Sequence, residues 1–263
     1  QDTGLIYYTY NEIEVVLINL NTETEYALRD TILDDLNQGN FANSPNKAFY
    51  FVGDLNDSHR YRLEVRKQND IVFGETSIIE NREIDNNISS VYKFFNNLTN
   101  DYHTPRRIKF PKLDNAYYYE VDFEFHYKEW DWNNDGDTIH AYVDWRLGDD
   151  VNPLSDMDFW LESEEFFQKI KTRIEANPNV QREFTKIVIS YSASEKELYN
   201  YISINEQAAN SLLFELPVYT NIIGSGSGVF SSRRFEQKIK YIDSDTRNRL
   251  VVDPHTLELN FIP

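Results

Sequence analysis

The sequence predicts an α+β fold that is mainly β, arranged as two domains. Three observations carry this. Short runs rich in β-branched and aromatic residues recur along the chain, with 18 Tyr and 17 Phe against 9 Gly and 8 Pro, and such side chains suit a half-buried pleated face. Two runs, 117–130 and 138–148, hold one parity of apolar and polar positions, which is the period of a strand. The clearest helical signals are confined to two stretches, 157–175 and 194–206. A chain of 263 residues can bury a core without disulfides and is long enough for two domains.

In chain order, LIYYTY (5–10) and IEVVLINL (13–20) read as strands, and the polar stretch 21–46 reads as a loop with a short helix. KAFYFVG (47–53) is strand-like. In YRLEVRKQNDIVFGETSII (61–79) the QND joins two strand-like runs as a hairpin does. These runs predict an N-terminal β-sandwich of immunoglobulin- or transthyretin-like type over 1–104. The Asn-rich, weakly periodic stretch 80–104 ends it. A second β-rich α+β domain follows over 105–263, with one long and one short helix.

That domain opens with RRIKFP (106–111). Between 122 and 145 the positions Phe123, Phe125, Tyr127, Ile139, Ala141, Val143 and Trp145 are apolar, while Asp122, Glu124, His126, Lys128, His140 and Asp144 are polar. Matched parity on two runs is what an antiparallel pair with one buried face requires. A register pairing Lys128 with His140 and His126 with Tyr142 satisfies it, so NNDGD closes a hairpin.

Residues 157–175 are predicted as the long helix, with Phe159, Leu161, Phe166, Phe167, Ile170 and Ile174 as its apolar stripe and Ser155 with Asp158 as a capping box. TKIVISYS (185–192) is a buried-type strand. Ser194 and Glu197 begin a short helix with a second capping box. GSGSG (224–228) reads as a flexible turn, FEQKIKYID (235–243) as a strand, and the rest as an extended tail.

The formal net charge is −18. Nucleic acid is excluded as an expected partner, because its binding rests on Lys and Arg neutralising phosphates. With no Cys, disulfides, thiolate catalysis and Cys-based zinc sites are excluded. No apolar run is long enough to span a bilayer as a helix. The opening QDTGLIYYTY has no initiator Met and reads as a processed start, hence an exported protein.

Residues 130–142, WDWNNDGDTIHAY, match the calcium-loop pattern for six positions and then fail, with Tyr142 where a bidentate Glu belongs. Asp131, Asn133 and Asp135 would be the side-chain ligands of a Ca²⁺ ion, Asp137 would take the carbonyl position, and Gly136 would make the sharp turn. The competing and preferred reading is a plain acidic hairpin tip. On the polar hairpin face, Glu124, His126, His140 and Asp144 could hold zinc or another divalent ion, against the simpler reading of a solvated sheet face. Trp145 and Trp160 are expected in the core. Trp130 and Trp132 flank the loop, where exposed indoles would serve a partner or a sugar. Neither a nucleophile-elbow pattern nor a phosphate-loop pattern occurs.

Four stretches together resemble a family of Bacteroidota surface lipoproteins: YRLEVRKQNDIVFGETSII, AYYYEVDFEFHYKEW, SEKELYNYI and PVYTNIIGSGSGVFSSR. The last is the most specific. The resemblance implies a non-enzymatic accessory lipoprotein, anchored in the outer membrane through a lipidated N-terminal Cys that this sequence lacks. Such proteins associate with β-barrel machines or transporters in assembly, secretion or uptake complexes, and the family brings no catalytic residues. It makes the 217–234 segment, with the basic pair Arg233 and Arg234, a candidate docking surface beside Trp130 and Trp132. Asp30-Thr31-Ile32 and Asp137-Thr138-Ile139 resemble the O-glycosylation motif of those bacteria, which implies exposed Thr31 and Thr138. The alternatives are a glycan- or nutrient-binding surface module using Trp130 and Trp132, and a metal-dependent hydrolase using His126 and His140.

Overall fold

The computed structural model describes residues 13–33, 46–84, 89–131, 138–209 and 219–263. The elements in chain order are β1 (Glu14–Asn19), β2 (Thr24–Ala27), β3 (Arg29–Leu33), β4 (Asn46–Tyr50), β5 (Arg60–Lys67), β6 (Asp70–Ser77), β7 (Val91–Tyr92), β8 (Phe95–Asn96), β9 (Asp101–Tyr102), β10 (Arg106–Phe110), β11 (Tyr118–Asp131), β12 (Ile139–Val151), β13 (Met157–Leu161), α1 (Ser163–Arg173), β14 (Val180–Ser194), α2 (Lys196–Ala209), β15 (Arg233–Ile242), α3 (Ser244–Val252) and β16 (Phe261–Ile262). With 49% strand and 16% helix the fold is α+β and mainly β. Contacts divide it into two compact units, 1–80 with 194–233, and 81–193 with 234–263. The division differs from a single cut near residue 104: the segment 194–233 returns to the first unit.

The first unit holds a four-stranded antiparallel sheet in the order β2-β1-β5-β6 and a separate β3-β4 pair. The expected loop-with-helix over 21–46 is not what residues 24–33 form: they make β2 and β3. Val15, Leu17 and Tyr61 are buried on one face of the sheet. The opposite face carries an ion-pair lattice. Arg62 reaches Glu75 at 2.6 Å, and Arg66 reaches Glu64 at 2.9 Å and Glu25 at 2.8 Å. The hydrogen bond from Arg66 holds the Glu25 carboxyl below its ordinary range. The predicted hairpin forms, closing at Lys67 opposite Asp70.

The second unit is built on a sheet ordered β12-β11-β14-β15-β7, with β16 alongside β14. The hairpin register is the one parity demands: Lys128 faces His140 and His126 faces Tyr142. Phe123, Phe125, Ile187, Ile189 and Tyr191 are buried in the core. Phe166 of α1 stacks on Phe94 at 4.1 Å and meets Phe123 and Phe125 edge-on. Aromatic pairs of this kind add to simple area burial.

The long helix over 157–175 is corrected in its first part. Residues 157–161 form β13, paired with β10. Met157, Phe159 and Leu161 are buried while Asp158 and Trp160 are exposed, so the period there is two. Asp158 pairs with Arg107, and the α1 N-cap is Glu162 with no side-chain cap. The second capping box is also absent. The Ser194 hydroxyl has no hydrogen-bond partner among the described residues, and Glu197 accepts from the Tyr219 hydroxyl. The extended tail is corrected by α3, whose N-cap Asp243 accepts from the Thr246 amide at 3.0 Å. Three helices are described rather than one long and one short.

Candidate functional site

Two surfaces gather the residues that the sequence singles out. One is the 219–232 segment of the first unit. β6 is the last strand of its sheet, and a bare edge is a template for unwanted pairing. The segment closes that edge. Phe73 donates its amide to the Ile223 carbonyl at 3.0 Å, and Ile223 returns the bond at 2.7 Å. Ser77 receives the Ser232 hydroxyl at 2.6 Å and donates its amide to Glu195.

The segment is itself tied into a loop. Asn221 donates from Nδ2 to the Phe230 carbonyl at 2.7 Å and accepts the Phe230 amide at 2.8 Å. Thr220 bridges Gly228 in the same way. Gly224 takes φ +110°, open to glycine at little cost. A Cβ on Gly74 would lie 2.8 Å from Ile222 and 2.9 Å from Phe230. GSGSG is therefore part of an ordered strap, and the expectation of a flexible turn is corrected. The reason lies in tertiary contact: β6 supplies the partners that a Gly-Ser run lacks in isolation.

The other surface is the outer face of the second unit's sheet. Along β11 and β12 it shows Glu120, Asp122, Glu124, His126, Tyr142 and Arg146. Arg146 holds Glu120 at 2.6 Å and Asp122 at 3.1 Å. His126 Nε2 lies 2.6 Å from Glu124, and its ring stacks on Tyr142 at 5.2 Å. Burial, then the charges of Glu120 and Asp149, push the Tyr118 hydroxyl well above its ordinary range. On β15, Gln237 bonds the Ser190 hydroxyl at 3.1 Å, which sets its row on this face. That row continues through Phe235, Ile239 and Tyr241, exposed by 55%, 51% and 48%.

Among the described residues no three His, Asp or Glu side chains stand close enough to hold a metal ion. Glu124 and His126 meet, yet His140 lies opposite Lys128 and joins no such group. Asp131 ends β11 and is exposed. Asn133, Asp135, Asp137 and Trp132 lie outside the described residues, so the calcium reading stays where the sequence left it. Trp130 is half-buried. Trp145 is buried as expected, with Arg173 over its ring. Trp160 is 54% exposed, because strand alternation turns it out. Thr31 and Thr138 are both exposed. Arg234 bonds Asn81 at 2.9 Å and Glu236 at 3.2 Å. The row of Phe235, Ile239 and Tyr241 was missed as a surface, though its alternation with Glu236, Lys238 and Lys240 is visible in the sequence. No protein-family model matches the chain, and neither a curated protein nor a solved structure does.

Proposed function

We propose that this chain is a non-enzymatic accessory subunit that works through protein–protein contact. The observation that supports this is the exposed apolar row Phe235, Ile239 and Tyr241 on one sheet face. Apolar side chains gathered on a surface mark interaction sites more often than isolated ones do. The setting follows the resemblance: a lipid-anchored surface protein of an outer-membrane assembly, secretion or uptake complex.

The test is a gentle detergent extraction of the native membrane, with pull-down on this chain and mass spectrometry. A stoichiometric barrel protein or companion lipoprotein, lost in Phe235→Asp or Ile239→Lys, is the expected result. Recovery of the folded chain alone would sink the proposal. A second reading, glycan binding, has the exposed indole of Trp160 in its favour. It predicts array binding that Trp160→Ala abolishes.

A further inference from the structure

β12 is the last strand of the second unit's sheet, and its outward side is managed unevenly. Arg173, at the end of α1, donates Nε to the Asp144 carbonyl at 2.8 Å. That carbonyl therefore points off the sheet. Alternate residues of an antiparallel strand turn both backbone groups to the same side, so His140 and Tyr142 also present theirs outward. No residue among those described partners these groups. Toward the end of β12, Phe159 of β13 packs on Gly148. Among the described residues, none covers the backbone edge of the stretch 139–143.

Natural edges are blunted by Lys, Pro, a bulge or a covering segment. Ile139-His140-Ala141-Tyr142-Val143 contains neither Lys nor Pro, and its ladder with β11 has no register shift. Ile139 and Tyr142 are 57% and 58% exposed. β6 in the first unit has its edge strapped shut, whereas β12 has one guanidinium that stops pairing at Asp144 and, among the described residues, no backbone partner over the five residues before it.

We infer that the open edge of β12 takes an extended, Lys- or Arg-bearing segment of a partner protein as an added antiparallel strand. Backbone bonds to His140 and Tyr142 would hold it, as in other strand additions. The charge around the edge selects the occupant. Glu124 and Asp144 face each other beside it, and Asp131 stands exposed at the end of β11. A second copy would set one chain of formal charge −18 against another. A basic strand is drawn in instead.

This rests on the accessory-subunit reading and can fail separately from it. The probe is a short synthetic peptide of alternating Lys and Val, added to the full chain, with amide hydrogen exchange as the readout. Exchange at His140 and Tyr142 should slow at least about tenfold, the change that corresponds to roughly 1.4 kcal/mol. A Glu-Val peptide, and the Lys-Val peptide methylated on its backbone nitrogens, should leave both amides unchanged.

Tyr142→Pro removes an outward donor without touching the ladder and should abolish the effect while far-ultraviolet circular dichroism stays native. Tyr142→Lys keeps the fold as a second check and should repel the peptide. Equal binding of the methylated peptide would overturn the inference in favour of charge alone. Protection that rises with the chain's own concentration, without peptide, would overturn it in favour of self-pairing. If a native partner is pulled down and survives Tyr142→Pro, the accessory reading stands and the β12 edge does not carry it.

Discussion

Asn221→Ala tests the account of the strap. The side chain makes two bonds across the loop, Nδ2 to the Phe230 carbonyl at 2.7 Å and Oδ1 from the Phe230 amide at 2.8 Å. Each is worth about 1 kcal/mol net. Phe230 is half-buried, so water can reach the freed groups and the full desolvation penalty is avoided. The expected loss is therefore about 2 kcal/mol, or roughly thirtyfold in the local opening equilibrium at 1.36 kcal/mol per decade. Native-state hydrogen exchange reads it at the amides of Phe73 and Ile223, which bond each other's carbonyls across the β6 edge. Both should exchange about thirtyfold faster, while the amides of the β5–β6 ladder change little. If Phe73 and Ile223 keep their protection in a folded Asn221→Ala protein, the strap is held by something other than this clasp.

Phe166→Ala should cost about 3–5 kcal/mol in denaturant unfolding, because the ring is fully buried against Phe94, Phe123 and Phe125; a loss under about 1 kcal/mol would contradict that packing. Ser194→Ala should be neutral or slightly stabilising by thermal unfolding, since the buried hydroxyl it removes has no partner among the described residues. Burial first, and the hydrogen bond to Asp253 second, push the Tyr102 hydroxyl up to about 12. Its unfolded value is near 10, so the folded value is the raised one. Its stabilisation is complete below about pH 10 and is lost as pH rises toward 12. A stability–pH curve for Tyr102→Phe should lack that alkaline decline, and an unchanged curve would remove Tyr102 as its source.

What could be read from residues alone was the local and the periodic. The parity shared by 117–130 and 138–148 determined the β11–β12 register, because a slip of one residue would turn every Phe to the wrong face. The QND turn, the buried strand 185–192 and the short helix after Ser194 were legible for similar local reasons. The acidic, Cys-free composition narrowed the chemistry without locating it.

Tertiary structure decided the rest. Met157, Phe159 and Leu161 alternate with the period of a strand, which the helical reading of 157–175 overrode by carrying the α1 stripe back through Phe159 and Leu161; pairing with β10 made the strand and put Trp160 outside. The α3 cap at Asp243 was present in the sequence, yet Asp-Ser-Asp-Thr reads equally as a turn until Thr246 donates its amide. GSGSG became a strap because β6 lay within reach. The edge position of β12 had no local signature, for an edge is defined by pairing, and none of the described strands pairs on that side. Sequence determined which residues would alternate, and only the packed chain determined which strands paired and which backbone groups stood at an edge.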